Sequence, residues 1–144
     1  MKKILIVPLL LIIFISRSNG ENILKDDFTN ENEWTYIADN VMGGISDGGV
    51  EFNLVDSNVY ALLSGNVSTE NNGGFIQIRR ELKNIDLSKA KSIRVYARGN
   101  NEKYYIFLRT TGTILPWQYY SHEFTVNEEY NLSLIHISEP TRPY

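Results

Sequence analysis

Short runs of alternating apolar and polar residues recur along this chain roughly every 8–12 residues, each closed by turn chemistry, and no stretch sustains a helical period. That pattern points to a β-sandwich or a barrel. Trp34–Ala38 alternates and is rich in β-formers, and Val50, Phe52 and Leu54 alternate with Glu51, Asn53 and Val55. Asp56-Ser57-Asn58 turns the chain into Val59–Leu63. Further on, Ile93, Val95 and Ala97 face one way and Arg94, Tyr96 and Arg98 the other. Tyr105, Phe107 and Arg109 stand likewise opposite Ile106 and Leu108. Strands are also expected at Phe75–Leu82 and Trp117–Phe124, with Glu21–Phe28 an edge strand or lead-in. Asp86-Leu87-Ser88 caps one helical turn at most. The fold class is therefore all-β and antiparallel.

Two turns are rich in Gly and Asn. The first is Asp39-Asn40-Val41-Met42-Gly43-Gly44-Ile45-Ser46. The second runs from Ser64-Gly65 through Ser68-Thr69-Glu70-Asn71-Asn72-Gly73-Gly74-Phe75 into the expected strand Phe75–Leu82, which carries Arg79 and Arg80. Glycine is the residue tolerated where φ turns positive, and Asn accepts the left-handed region while bonding its own backbone. Folding alone asks for glycine there, since a non-glycine residue in left-handed geometry costs about 1–2 kcal/mol. Bare backbone at a sandwich rim also lets a ligand or partner approach closely. Neither motif opens a helix, which argues against a phosphate cradle.

With 144 residues, 42% of them hydrophobic, the chain is sized for one core. Residues 1–20 read as an export signal: Lys2 and Lys3, an apolar run Ile4–Ile15 too short to span a membrane, then Ser18-Asn19-Gly20. The expected location is the periplasm or outside the cell. Its removal leaves 11 basic against 17 acidic residues, a net charge of −6, which argues against a nucleic-acid partner. No membrane span is expected in the processed chain, and the absence of cysteine leaves its stability to packing. Residues 132–144 read as translated sequencing adaptor and are set aside, so the β-sandwich domain is placed at 21–131, incomplete at its C-terminal end.

Groups suited to catalysis are few. Before the tail, His122 is the only histidine, and strand alternation turns it away from Ser121 and Glu123. One histidine with scattered acids makes no zinc site and no cofactor is expected, while the loop acids and amides could supply oxygens to a structural Ca²⁺ whose ligands the sequence does not assign. A carboxylate pair such as Asp39 with Glu70 could do glycosidase chemistry, and only a separation would support it. Arg79, Arg98 and Arg109, with Gln77, Tyr96 and Tyr105, are expected on one sheet face, an arrangement suited to sugars or carboxylates. Arg stems covering the outside of a sheet and pairing with nearby acids are the plainer account of them. Trp34 and Trp117 read as packing residues.

The two Gly-Gly motifs in this order, with Trp34, Arg79, Ala97-Arg98-Gly99-Asn100, Tyr105–Arg109 and Trp117-Gln118-Tyr119-Tyr120, resemble the complex I intermediate-associated protein 30 family. The resemblance runs from Trp34 to about Phe124. It implies a jelly roll of the galactose-binding-like type and a non-catalytic module akin to an assembly factor. The partner expected is a protein, or else a glycan. Contact residues are expected at Asp39, Met42, Gly43, Gly44, Ser46, Glu70, Asn71, Asn72, Gly73, Gly74, Phe75, Arg79 and Arg109. Complex I assembles around an arm facing the cytoplasm or matrix, so an exported relative shares the fold more readily than the role.

Overall fold

A computed structural model describes residues 3–5, 12–16, 21–109 and 120–136. Among them the chain forms eleven strands: β1 (Lys3–Leu5), β2 (Ile12–Ser16), β3 (Asn22–Asp26), β4 (Trp34–Ala38), β5 (Asp47–Val55), β6 (Asn58–Val67), β7 (Ile76–Arg80), β8 (Ser92–Ala97), β9 (Glu102–Leu108), β10 (Tyr120–Val126) and β11 (Asn131–His136). The only helical elements described are three short 3-10 turns. The strands pair in the orders β1-β6-β5, β10-β9, β11-β8-β2-β3 and β4-β7, and every pairing is antiparallel. The fold is an all-β antiparallel sandwich. No helix among the described residues is long and apolar enough to cross a membrane.

Alternation in the sequence becomes alternation in burial. Ile93, Val95 and Ala97 of β8 are buried, while the residues between them are only half-buried. They share one core with Ala61 and Leu63 of β6, Val126 of β10, Ile135 of β11, Ile15 of β2 and Phe28. Tyr36, Ile76, Ile78 and Phe52 pack against that cluster, so all four sheets contribute to it. The hairpin joining β5 to β6 closes on Asp56 and Ser57 with φ of 48° and 66°. Two positive φ values at a two-residue turn match the right-handed twist of the strands that it joins.

Several boundaries differ from expectation. Both strands flanking the Asp56-Ser57 hairpin extend beyond their apolar cores, because ladder bonds do not require apolar side chains. Residues 131–136, straddling the expected domain end, form β11 and pair with β8. Residues 12–16, inside the expected leader, form β2 within a sheet. Asp86–Ser88 makes an Asx turn in which the Ser88 N–H donates to Asp86 Oδ1 (2.9 Å), and no helix follows. Trp117, where the last expected strand begins, lies outside the described residues.

Candidate functional site

Strand β4 delivers Asp39 into the interior at the start of a 3-10 turn, Asp39–Met42. That carboxylate is fully buried and gathers donors from both Gly motifs. Its Oδ1 accepts the Ser46 N–H (2.9 Å). Its Oδ2 accepts the Ser46 hydroxyl (2.5 Å), the Gly74 N–H (2.5 Å) and, at longer range, the Phe75 N–H (3.4 Å). Backbone closes the loop from the other direction, with the Asp39 N–H donating to the Phe75 carbonyl (3.2 Å). Ser46 Oγ in turn accepts the Ser68 N–H (2.9 Å), and Ser68 Oγ accepts the Glu70 N–H (3.2 Å). Segments 22 to 36 residues apart in sequence are thus tied at one anion.

The electrostatics favour the charged form. Burial pushes the Asp39 carboxyl up, but the Ser46 hydroxyl and the Gly74, Ser46 and Phe75 N–H groups together outweigh it. The net pKa lies below the ordinary 3.8. Hydrogen bonds to an ionised acceptor are about twice as strong as neutral ones, and a carboxylate has room for about four. Asp39 receives four such donors, one on Oδ1 and three on Oδ2.

Each Gly-Gly pair divides its labour. Gly43 (φ 87°) and Gly74 (φ 134°) take backbone angles that L side chains rarely adopt. Gly44 and Gly73 have ordinary angles, yet a Cβ on either would run into the Asp39 carboxylate. The expectation of positive φ at Gly73 is corrected here: its φ is −81°, and close approach is what demands glycine. Asn71 (56°) and Asn72 (59°) do take the left-handed region. Replacing Gly73 by Ala is therefore expected to lower the melting midpoint by roughly 5–10 °C, as overpacking does elsewhere. Gly49→Ala is the control, because no atom beyond its chain neighbours lies within 4 Å of a Cβ placed there; it is expected to stay within about 2 °C of the parent. Equal melting of the two variants would remove the packing argument.

A profile of the Complex I intermediate-associated protein 30 (CIA30) family matches residues 24–141. The chain belongs to that family. Comparison with curated proteins and with solved structures finds no significant match. The matched span contains both motifs and the whole Asp39 network.

In this CIA30 member the rim above Asp39 is apolar and open: Val41, Met42 and Ile45 are 69%, 63% and 47% exposed. Glu70, Asn71, Asn72 and Gly74 are exposed beside the second bend, while Gly73 and Phe75 are half-buried. Asp39 and Ser46 prove to be internal struts, with no surface to offer a partner. The pairing of Asp39 with exposed Glu70 as acid and base has no support in this geometry, since both Asp39 oxygens are engaged and sealed from solvent.

The expected Arg and Tyr face does not form. Gln77 and Arg79 lie on β7, Tyr96 on β8 with Arg98 just past it, and Tyr105 on β9 with Arg109 just past it. Strand order separates these into three sheets. Arg98 instead sits over the Tyr130 ring (5.0 Å), which stacks on Tyr96 at 5.1 Å. The Tyr105 hydroxyl donates to Glu123 (2.7 Å), which Lys103 also pairs (2.8 Å). Among the described residues no group of three or more acids and histidines is placed to hold a metal ion.

A second buried centre escaped sequence reasoning. Asp26, at the end of β3, accepts the Phe28 N–H (2.9 Å) on Oδ1 and the Trp34 indole N–H (3.1 Å) on Oδ2. Arg80 pairs with the same Oδ2 and reaches Glu33 with its other nitrogen (2.5 Å). The signal was present: alternation puts Arg80 on the inward side with Ile76 and Ile78.

Proposed function

We propose that the protein is an exported, non-catalytic module that binds a protein partner through the rim carrying both Gly motifs. One observation supports this reading above the rest: a buried anion fixes two distant bends, and the surface so fixed presents Val41, Met42 and Ile45 to solvent. A preorganised apolar patch loses little entropy on docking, and such patches mark interaction sites. Family membership favours an assembly-type role with a protein partner over catalysis.

The test places a photo-crosslinking amino acid at position 42, with position 54 as control. Leu54 is 69% exposed on the β5–β6 hairpin, away from both motifs. A discrete protein adduct is expected from position 42 only, lost when Val41 and Ile45 are both changed to Ser, with melting unchanged. The same adduct from both positions, or one that survives the double change, would end this reading.

A second reading, binding of a glycan, has one observation of its own. Tyr105 and Phe107 stack at 6.2 Å with 17° between planes, and both are about half exposed beside Arg109. Aromatic faces with a flanking Arg suit sugar rings. Glycan-array binding that disappears in both Phe107→Ala and Arg109→Ala would favour it over the first.

A further inference from the structure

Strand β2 stands in the middle of its sheet, bonded to β8 on one side and to β3 on the other. Among the described residues strand β3 has no other strand partner. Residues 12–16 also close the apolar run on which export rests. One segment therefore serves two tasks that exclude each other: a leader is cut away, and a central strand holds its sheet together. Cleavage after Gly20 would leave β3 without a neighbour among the described strands and open a gap one strand wide. Strands stand roughly 4.7–4.9 Å apart, so the walls of that gap lie about 10 Å apart.

The walls specify what fits. Both β3 and β8 run antiparallel to β2, so an occupant bonds along both edges only if it runs antiparallel to both. In the register Ile13 faces Val95 and Ile15 faces Ile93, two buried positions of β8, and Ile15 is only 3% exposed. The occupant needs an apolar residue at every second position. One clasp spans the gap without β2, the Arg94 guanidinium donating to Asn22 Oδ1 (2.5 Å) from β8 to β3. A second processed copy has lost the same strand and cannot donate it.

We propose that in the processed chain the gap between β3 and β8 is a strand-binding site, filled by an extended apolar segment of the protein partner. This rests on the exported, protein-binding reading above. Unpaired ladder groups on two facing edges give such a site its affinity, and the alternate inward positions give it selectivity.

The test keeps the full chain and replaces residues 17–20 by a specific protease site, so that folding precedes cutting. The probe is a labelled synthetic peptide of residues 10–20. The uncut chain is expected to ignore it, and the cut chain to exchange its own fragment for it saturably. A peptide carrying Ile15→Asp is expected to bind more than about tenfold more weakly, since it buries a carboxylate in the core. A disulfide between Ser16→Cys and Ser92→Cys, whose Cα atoms are register partners, is expected to block exchange. Equal uptake by cut and uncut chains, equal binding of both peptides, or a cut chain that aggregates in excess peptide would overturn the proposal. None of these outcomes involves Val41, Met42 or Ile45, so failure here leaves the rim crosslink to be judged separately.

Discussion

Asp39→Ala is expected to lower the melting midpoint by about 10 °C or more, among the largest effects of any single change in this protein. The substitution removes the acceptor for the Ser46 N–H and hydroxyl and for the Gly74 and Phe75 N–H groups, at a site with no exposure. Those donors are left without an acceptor at a buried site. Asp39→Asn keeps the shape but turns an NH2 group against N–H donors, so it is expected to melt well below the parent too. Limited proteolysis is expected to cut the Ala variant first at 43–46 and 70–75, the segments that this carboxylate holds. A melting midpoint within about 2 °C of the parent would show that the bends stand without it.

The same network sets an acid limit. Asp39 titrates below its ordinary 3.8 in the folded chain because its hydrogen bonds outweigh the cost of burial. With the folded value below the unfolded one, the unfolded chain takes up more protons between the two. The stability contributed is thus complete above pH 3.8 or so and is lost as the pH falls through the folded value. Urea titrations are expected to show the parent losing stability below about pH 4 more steeply than Asp39→Asn. Parallel curves would assign the acid loss to other carboxylates.

Much of this was legible in the sequence because strand period is a local property. The inward residues Ile93, Val95 and Ala97 and the exposed Tyr105, Phe107 and Arg109 follow from alternation alone. The importance of the two Gly motifs was legible too, though the reason for it was not. Gly73 needs its missing Cβ because of an atom 34 residues earlier, and no local rule reports that. Pairing order was hidden for the same cause: Arg79, Arg98 and Arg109 alternate alike but belong to different sheets. The apolar run at 12–16 has one composition that suits a leader and a buried strand equally, and only its neighbours β3 and β8 reveal the second use.

Asp26→Ala is expected to cost about 3–5 kcal/mol, the range for breaking a buried ion pair from one side. Its side chain is 6% exposed and that of Arg80 14%, so the guanidinium left behind has little access to water. Glu33 still pairs with Arg80, but it is 41% exposed and on the other nitrogen, which places the expected cost toward the lower end. A second loss follows from Phe28. It holds φ at 60°, an uncommon angle for a bulky residue, with its N–H donated to Asp26 Oδ1. That angle turns the ring into the core, 5.1 Å from Trp34 and 6.1 Å from Phe52. Removing the pair together separates the two contributions. Asp26→Leu with Arg80→Met eliminates the stranded charge but still frees the Phe28 N–H, so it is expected to recover most of the ion-pair loss and none of the turn. Urea midpoints of the single and double variants decide it. A double variant no more stable than Asp26→Ala would mean that the turn at Phe28, rather than the charge on Arg80, is what Asp26 sustains.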